Sequence, residues 1–369
     1  MIRVTHFSTV HPASDNRLFN KECPTLSEAG YDVTLVAVKD NAPAPTRFRL
    51  LASPRENRRL RRMLFGPWRA LATVLSTRPA ICHFHDSELI PVGVVLKLLG
   101  CRVVYDVHED LSAQIQDKDY LPPIVRPVLG LACTAIERLG GLFFDAVVAA
   151  TPAIAAKFPP AKTVIVQNFP LTDELVPVGD VPFSQRPPHI AYVGVATRQR
   201  GLLDMVRAVG LLEDKPDVRL RFAGKCYPPE LADEAAALPG WSRVVSEGWL
   251  SRDGIGSMLA DCRLGLVLFH QAQNHVRAQP NKLFEYMAAG LPVVASDFPL
   301  WRDIINEAGC GLLVDPTNPA AIAAAVRRLL DNPAEAEAMG RRGREAVSKR
   351  YNWDVEAGVL LDLYRRLSS

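Results

Sequence analysis

Short apolar runs rich in Val, Ile, Leu and Ala alternate with longer stretches of helical period through most of the chain. A continuous apolar run a few residues long marks a strand buried on both faces, and strand–helix alternation puts such strands into parallel sheets covered by helices. In the first half the pattern predicts strands at residues 2–6, 33–38, 81–85, 102–107 and 146–149, with a closing strand at 164–167. In the second half it predicts strands at 189–193, 220–223, 244–246, 264–269, 293–296 and 312–314. Helices are expected at 17–29, stopped by Gly30, and at 88–99, stopped by Gly100, since glycine commonly stands just past a helix C-terminus. The chain closes with helices at 320–330, at 334–348 and after Trp353.

Between residues 176 and 189 the period is lost and four prolines occur, Pro177, Pro182, Pro187 and Pro188, which marks a linker. The length of 369 residues suits two cores. The expected fold class is therefore α/β, with two Rossmann-like, doubly wound parallel-sheet domains at 1–180 and 181–352 and a final helix at 353–369 crossing back to the first. Ligands of such sheets bind beyond the carboxyl ends of the strands, so the two sheets are expected to face each other across a cleft. The fingerprint GxGxxG is missing after the first strand, where Ser8-Thr9-Val10-His11-Pro12 stands, which sets aside an ordinary nicotinamide-dependent dehydrogenase.

A composition of 48% hydrophobic and 22% charged residues argues for globular structure, and a net charge of +3 offers no general nucleic-acid surface. Seven cysteines without a close pair suggest neither a disulfide framework nor a CxxC site, which points to a reducing cytoplasm. The N-terminal residues lack the apolar stretch of a signal peptide. The runs 89–99 and 129–150 carry Lys97 and Glu137, Arg138 and Asp145, so membrane contact is expected only at the periphery, on the inner face of the cytoplasmic membrane. Its expected seat is the segment 55–69, where Arg55, Arg58, Arg59, Arg61, Arg62 and Arg69 stand against Glu56 alone and alternate with Leu60, Met63, Leu64, Phe65 and Trp68. That mixture suits an anionic bilayer, or else a solvated loop packed on the first domain, and Gly66-Pro67 is expected to break it into two short pieces.

Candidate chemistry concentrates in two stretches. In the first, Pro280 suits a helix start, and the amides of Asn281, Lys282 and Leu283 would point out of it toward a phosphate, helped by the Lys282 charge. Glu285, in the first turn, can accept two hydrogen bonds from ribose hydroxyls; the plainer alternative is a solvated glutamate on an amphipathic helix. In the second, Gly194 lets a ligand approach the backbone, and Arg198 and Arg200 can grip diphosphate oxygens as negative charge builds on a leaving group. His83 and His85 share one face of a strand as a two-histidine metal clamp; no third ligand is evident, and no metal site is assigned.

The two stretches, in this order and at this separation, resemble glycosyltransferase family 4, of GT-B fold, over nearly the whole chain. The opening Thr5-His6-Phe7 to Glu22, with Asp15, Arg17, Phe19 and Lys21, and the run Val104-Tyr105-Asp106-Val107-His108-Glu109-Asp110 are similar to a polysaccharide-associated branch. The resemblance implies an N-terminal acceptor-binding domain, with Asp15, Arg17, His108 and Glu109 on the acceptor side, and a C-terminal nucleotide-sugar domain. It further implies that Arg200 binds the diphosphate, that Glu285 holds the ribose, that Trp249 and Leu250 border the base, and that His108 faces the transferred sugar. Core packing is the competing and favoured reading of Trp249. The sequence departs from the family at Arg277, where the first glutamate of a pair belongs, and at Val195, where an arginine is usual and Arg198 is the stand-in; the loop 274–279 would then supply the sugar contact. The implied function is transfer of a sugar from a UDP or GDP sugar to a glycan or lipid-linked acceptor, retaining, metal-independent, without a cofactor, in cell-surface polysaccharide biosynthesis. The alternatives are a nucleotide-sugar 2-epimerase of the same fold and a non-catalytic nucleotide-sugar-binding protein.

Overall fold

The computed structural model describes residues 1–54, 56, 58–116, 122, 124–172, 175 and 182–369. Arg55, Pro177 and the expected boundary at 180/181 lie outside the described residues. Two units divide the chain: Met1–Asn168 with Trp353–Ser369, and Phe169–Asn352.

The first unit carries a parallel sheet of β1 (Arg3–Pro12), β2 (Asp32–Val38), β3 (Arg49–Ser53), β4 (Ile81–Phe84), β5 (Arg102–Val107), β6 (Ala146–Ala149) and β7 (Thr163–Ile165), in the order β3-β2-β1-β4-β5-β6-β7. Strand β3 has no counterpart in the apolar pattern, because it is a partly exposed edge strand beginning at Arg49. The register pairs His6 with His83 and Phe7 with Phe84 across β1 and β4, and Phe84 with Tyr105 across β4 and β5. Side chains alternate along a strand, so Phe7, Phe84 and Tyr105 enter the apolar core. Phe84 stacks on Tyr105 with ring centroids 4.7 Å apart. The same alternation gathers His6, His83, His85 and Asp106 on the opposite face, all buried.

That polar face is met by the segment expected as one helix at 17–29. It opens instead with a π-turn, Leu18–Glu22, before the helix Cys23–Glu28. Such wider turns redirect side chains and recur at functional sites; here Lys21 and Glu22 are buried. The C-terminal helix Trp353–Ser368 covers the same region, with Trp353 Nε1 donating to Thr25 Oγ1 at 2.9 Å and Gln167 N to Glu356 Oε2 at 2.7 Å.

Gly66 and Pro67 do not split the basic segment: the helix Arg59–Ser76 runs through both. Proline removes one hydrogen bond and crowds the preceding turn, yet the helix continues, with Pro67 buried while Phe65 and Trp68 are exposed. Met63, Leu64, Phe65 and Trp68 are exposed on it.

The second unit carries β8 (Ile190–Val193), β9 (Leu220–Ala223), β10 (Val244–Gly248), β11 (Leu264–Val267), β12 (Val293–Ser296) and β13 (Gly311–Val314), all parallel, in the order β10-β9-β8-β11-β12-β13. Both sheets follow the doubly wound order of Rossmann folds, as the alternation implies, and reverse direction between β1 and β4 and between β8 and β11. All seven cysteines are free.

Candidate functional site

At the reversal point of the second unit, β8 is followed by Gly194, whose φ of +109° suits glycine, and a Cβ there would stand 3.7 Å from Lys282 Nζ. The chain then makes a tight turn, Arg198–Arg200, capped by Thr197, whose hydroxyl accepts from Arg200 N at 3.0 Å. Gly201 follows at φ +71°, and any Cβ there would strike the Leu268 carbonyl beyond β11.

This turn places Arg200 with Nη1 donating to the Val195 carbonyl at 3.2 Å and its guanidinium 5.4 Å from the Phe269 ring centre. Lys282 enters from the helix Asn281–Ala288 and is 8% exposed. Its Nζ lies 3.6 Å from the Tyr192 ring centre and has no hydrogen-bond partner. Burial first, and the Arg200 charge second, push the Lys282 ammonium well below its ordinary value, with Glu285 pulling the other way. The helix starts at Pro280, but Leu283 N–H bonds back to the Pro280 carbonyl at 3.0 Å. The tightened first turn therefore withdraws Leu283 from the expected set of outward amides, leaving those of Asn281 and Lys282.

Glu285 is buried rather than solvated, and its Oε1 accepts from Arg252 Nη1 at 2.8 Å. Arg252 was not foreseen; it stands at the start of the helix Arg252–Ala260, far away in sequence. Arg198 does not form the expected fork with Arg200: it is exposed and grips both oxygens of Glu234. Lys282 is the cation that approaches Arg200 instead. Trp249 is 73% exposed, which overturns core packing, because Gly248 at φ +67° turns the chain outward at the end of β10; Leu250 alone packs on the core. Arg277 is exposed, and in the same loop Gln279 Oε1 is buried without a hydrogen-bond partner.

In the first unit, Asp86 follows β4 and accepts from Thr9 N at 2.7 Å and Ser8 Oγ at 2.8 Å, with His11 Nδ1 3.0 Å from its other oxygen. Burial alone would raise its pKa, but the bonds from His11, Ser8 and Thr9 hold it at about 2. Asp15 serves the backbone, accepting from Arg17 N at 3.0 Å and Leu18 N at 3.2 Å. Arg17 is 2% exposed, so it cannot touch an acceptor as expected; its Nε lies 2.6 Å from Glu22, Nη2 donates to Asp106 at 3.0 Å and Nη1 to the Val166 carbonyl at 2.8 Å. Glu109 is exposed and His108 half-buried. His108 Nε2 lies 2.8 Å from His85 Nδ1.

Behind His108 the two histidines read from the strand are joined by residues that spacing did not reveal. His6 Nδ1 lies 3.1 Å from His85 Nε2, and Tyr364 Oη bridges His6 Nε2 at 3.1 Å and His83 Nδ1 at 2.8 Å. Burial lowers His6 well below its ordinary value, assisted by His83 and His85, and lowers His85 likewise. Burial would raise Asp106, yet the Arg17 guanidinium above all holds it well below the carboxylate range. Beside β1 and β3 a pocket of about 170 Å³ is lined by Ser8, Thr9, Ser53, Arg61, Arg62 and Arg69.

Two Rossmann-ordered parallel sheets, one with a buried lysine, an arginine and a helix start at its reversal point, define a two-unit α/β protein of the doubly wound class. Residues 23–169 match the "Glycosyl transferase 4-like domain" model and residues 178–346 the "Glycosyl transferases group 1" model. The chain belongs to the family 4 glycosyltransferases, of GT-B fold. It is 39% identical over 160 residues to the phosphatidyl-myo-inositol mannosyltransferase of Mycobacterium leprae, a match covering 43% of this chain and 41% of that protein. Sucrose-phosphate synthase from Thermosynechococcus elongatus shares the fold at a TM-score of 0.77, with 18% identity, over 100% of this chain and 99% of that one. Anabaena HepE in complex with UDP shares it at 0.72, with 13% identity, over 99% and 100%. No helix among the described residues is long and apolar enough to cross a membrane.

Proposed function

We propose that the protein transfers a glycosyl group from a nucleoside-diphosphate sugar to a glycan or lipid-linked acceptor, with retention of configuration. One observation carries the donor half: the Lys282 ammonium is buried without a hydrogen-bond acceptor, beside Arg200 and the helix start at Pro280. A diphosphate is the ligand that turns two like charges and two outward amides from a cost into a site. As the sugar bond breaks, Arg200, Lys282 and the amides of Asn281 and Lys282 hold the growing charge, so the transfer calls on no metal at the diphosphate. The departing diphosphate takes the acceptor proton on the face it leaves, a route to retention that needs no second carboxylate as nucleophile. Glu285, held by Arg252, receives the ribose hydroxyls, Trp249 and Leu250 border the base, and Gly194 leaves room for the phosphates. The donor is a UDP or GDP sugar, and the UDP bound by Anabaena HepE supports the first of the two.

The acceptor half belongs to the first unit. Its pocket with Arg61, Arg62 and Arg69 suits an anionic group on the acceptor, and His108 lies within hydrogen-bond reach of His85 for a fixed orientation. A cytoplasmic protein resting on the inner membrane face through the helix Arg59–Ser76 accounts for the exposed Leu64, Phe65 and Trp68 among its arginines, and fits a lipid-linked acceptor of cell-surface polysaccharide. The test is a thermal-shift screen with UDP, GDP, ADP and TDP sugars, followed by product analysis of the stabilising donor with and without acceptor. Transfer to an acceptor with the donor's anomeric configuration is expected. A rearranged sugar formed without acceptor indicates the epimerase, and binding without nucleotide release above background indicates a silent binding protein; either refutes the proposal.

A further inference from the structure

The buried face shared by β1, β4 and the π-turn presents three ligand atoms to one point. His6 Nδ1, His85 Nε2 and Glu22 Oε2 are separated by 3.1, 3.5 and 3.9 Å. Three corners of a tetrahedron around an ion with bonds of about 2.0–2.1 Å stand about 3.3–3.4 Å apart. His83 adds a ring nitrogen, and the four groups lie within 4.8 Å of one another, all buried.

Glu22 stands beside the two rings with both carboxylate oxygens buried. Its Oε1 lies 2.6 Å from Arg17 Nε, while Oε2 faces His6 Nδ1 at 3.5 Å and His85 Nε2 at 3.9 Å. A single proton between His6 Nδ1 and His85 Nε2 satisfies both nitrogens and leaves neither ring N–H for Glu22 Oε2. An ion at the common point satisfies all three atoms. The outer contacts agree with this, because the other atom of each group is already held: His6 Nε2 by Tyr364 Oη at 3.1 Å, His85 Nδ1 by His108 at 2.8 Å, and Glu22 Oε1 by Arg17 at 2.6 Å. Metal-binding histidines and carboxylates are held in this way by a surrounding ring of partners.

We propose that the first unit binds a divalent transition metal through His6 Nδ1, His85 Nε2 and Glu22 Oε2. Two or three imidazoles with one carboxylate select zinc over magnesium or calcium, which favour oxygen-only sites. The ion is separate from the diphosphate chemistry, whose residues belong to the other unit. Its effect is positional: metal on His85 Nε2 fixes the remaining proton on Nδ1, which donates to His108 Nε2 and sets that imidazole's tautomer.

The test uses the full chain without a polyhistidine tag, stripped with a chelator and re-equilibrated with zinc or cobalt(II). After gel filtration, elemental analysis is expected to find a stoichiometric zinc ion, and the cobalt form to show the visible absorption of a nitrogen and oxygen site. His6→Gln and Glu22→Gln are each expected to lose the ion while retaining their circular dichroism. Should either fail to fold, the cobalt spectrum of the unsubstituted chain decides. Absence of retained zinc and of a cobalt band overturns the proposal, as does retention unchanged in folded Glu22→Gln and His6→Gln.

Discussion

Replacing Lys282 by methionine is expected to raise the melting temperature of the ligand-free protein and to weaken its binding of a nucleoside diphosphate. The two side chains have similar length, so the swap tests charge more than packing. In the native chain the ammonium is 8% exposed, lacks a hydrogen-bond partner and meets the Arg200 charge. Leaving a buried polar group unpaired costs about 1–3 kcal/mol, and more for a charge. The Tyr192 ring centre at 3.6 Å returns up to about 2 kcal/mol as a cation–π contact. The balance is a penalty of about 1 kcal/mol that methionine removes, which for a domain of this size corresponds to a rise of about 2–4 °C. With diphosphate bound the sign reverses, because a charge-assisted bond of about 1.5–3 kcal/mol is lost, roughly ten- to a hundredfold in affinity. The pH dependence follows the same sign. Unfolded Lys282 holds its proton up to its ordinary value of 10.5, whereas the folded residue releases it earlier. In that window the unfolded chain binds more protons, so native stability gains from this residue as pH rises, and the methionine variant lacks the gain. Differential scanning fluorimetry across pH and calorimetric titration with UDP and GDP, with the nucleoside as control, read both effects. A methionine variant that melts lower without ligand, or binds the diphosphate as tightly as the native chain, refutes the reasoning.

Arg200→Ala is expected to lower turnover by roughly a hundred- to a thousandfold, with little change in affinity for the nucleoside monophosphate, since its partner gains charge only as the sugar leaves; equal losses in kinetics and monophosphate binding count against that role. Glu285→Gln should weaken nucleotide binding by about 1.5–3 kcal/mol while 2′,3′-dideoxy nucleotides, lacking the ribose hydroxyls, bind both proteins alike; a native-like titration for the ribonucleotide removes Glu285 from the site. Flotation with anionic vesicles should recover the native chain at low salt, less at high salt, and little of a variant with Arg58, Arg61 and Arg62 changed to glutamine, each charge contributing about 1 kcal/mol; no recovery at low salt sinks the membrane contact.

Most strands were legible because a parallel sheet buries both faces, so each strand reads as an unbroken apolar run, and glycines mark helix ends. What escaped was of three physical kinds. Strand β3 is a partly exposed edge whose Arg49 and half-buried leucines lack that signature. The basic helix hid behind Gly66-Pro67 because proline breaks the average helix, whereas here the helix runs on through it. Partners distant in sequence, such as Arg252 for Glu285 and Glu234 for Arg198, leave no local trace at all.

The buried histidine cluster did leave a trace, and it lay in the alternation of the strands. A strand interior to a parallel sheet is normally apolar on both sides, yet His6, His83 and Asp106 each interrupt such a run, and His85 follows directly on β4. Taken one strand at a time they are isolated polar residues with many explanations. The register that sets His6 against His83 makes them one feature, because strands in contact at those positions present those side chains to the same face. A polar face of that kind must be answered from the next layer, and the answer comes from the π-turn that turns Glu22 inward and from the C-terminal helix that brings Tyr364. The sequence therefore held the demand for a partner on β1, β4 and β5, and only the fold disclosed which residues meet it.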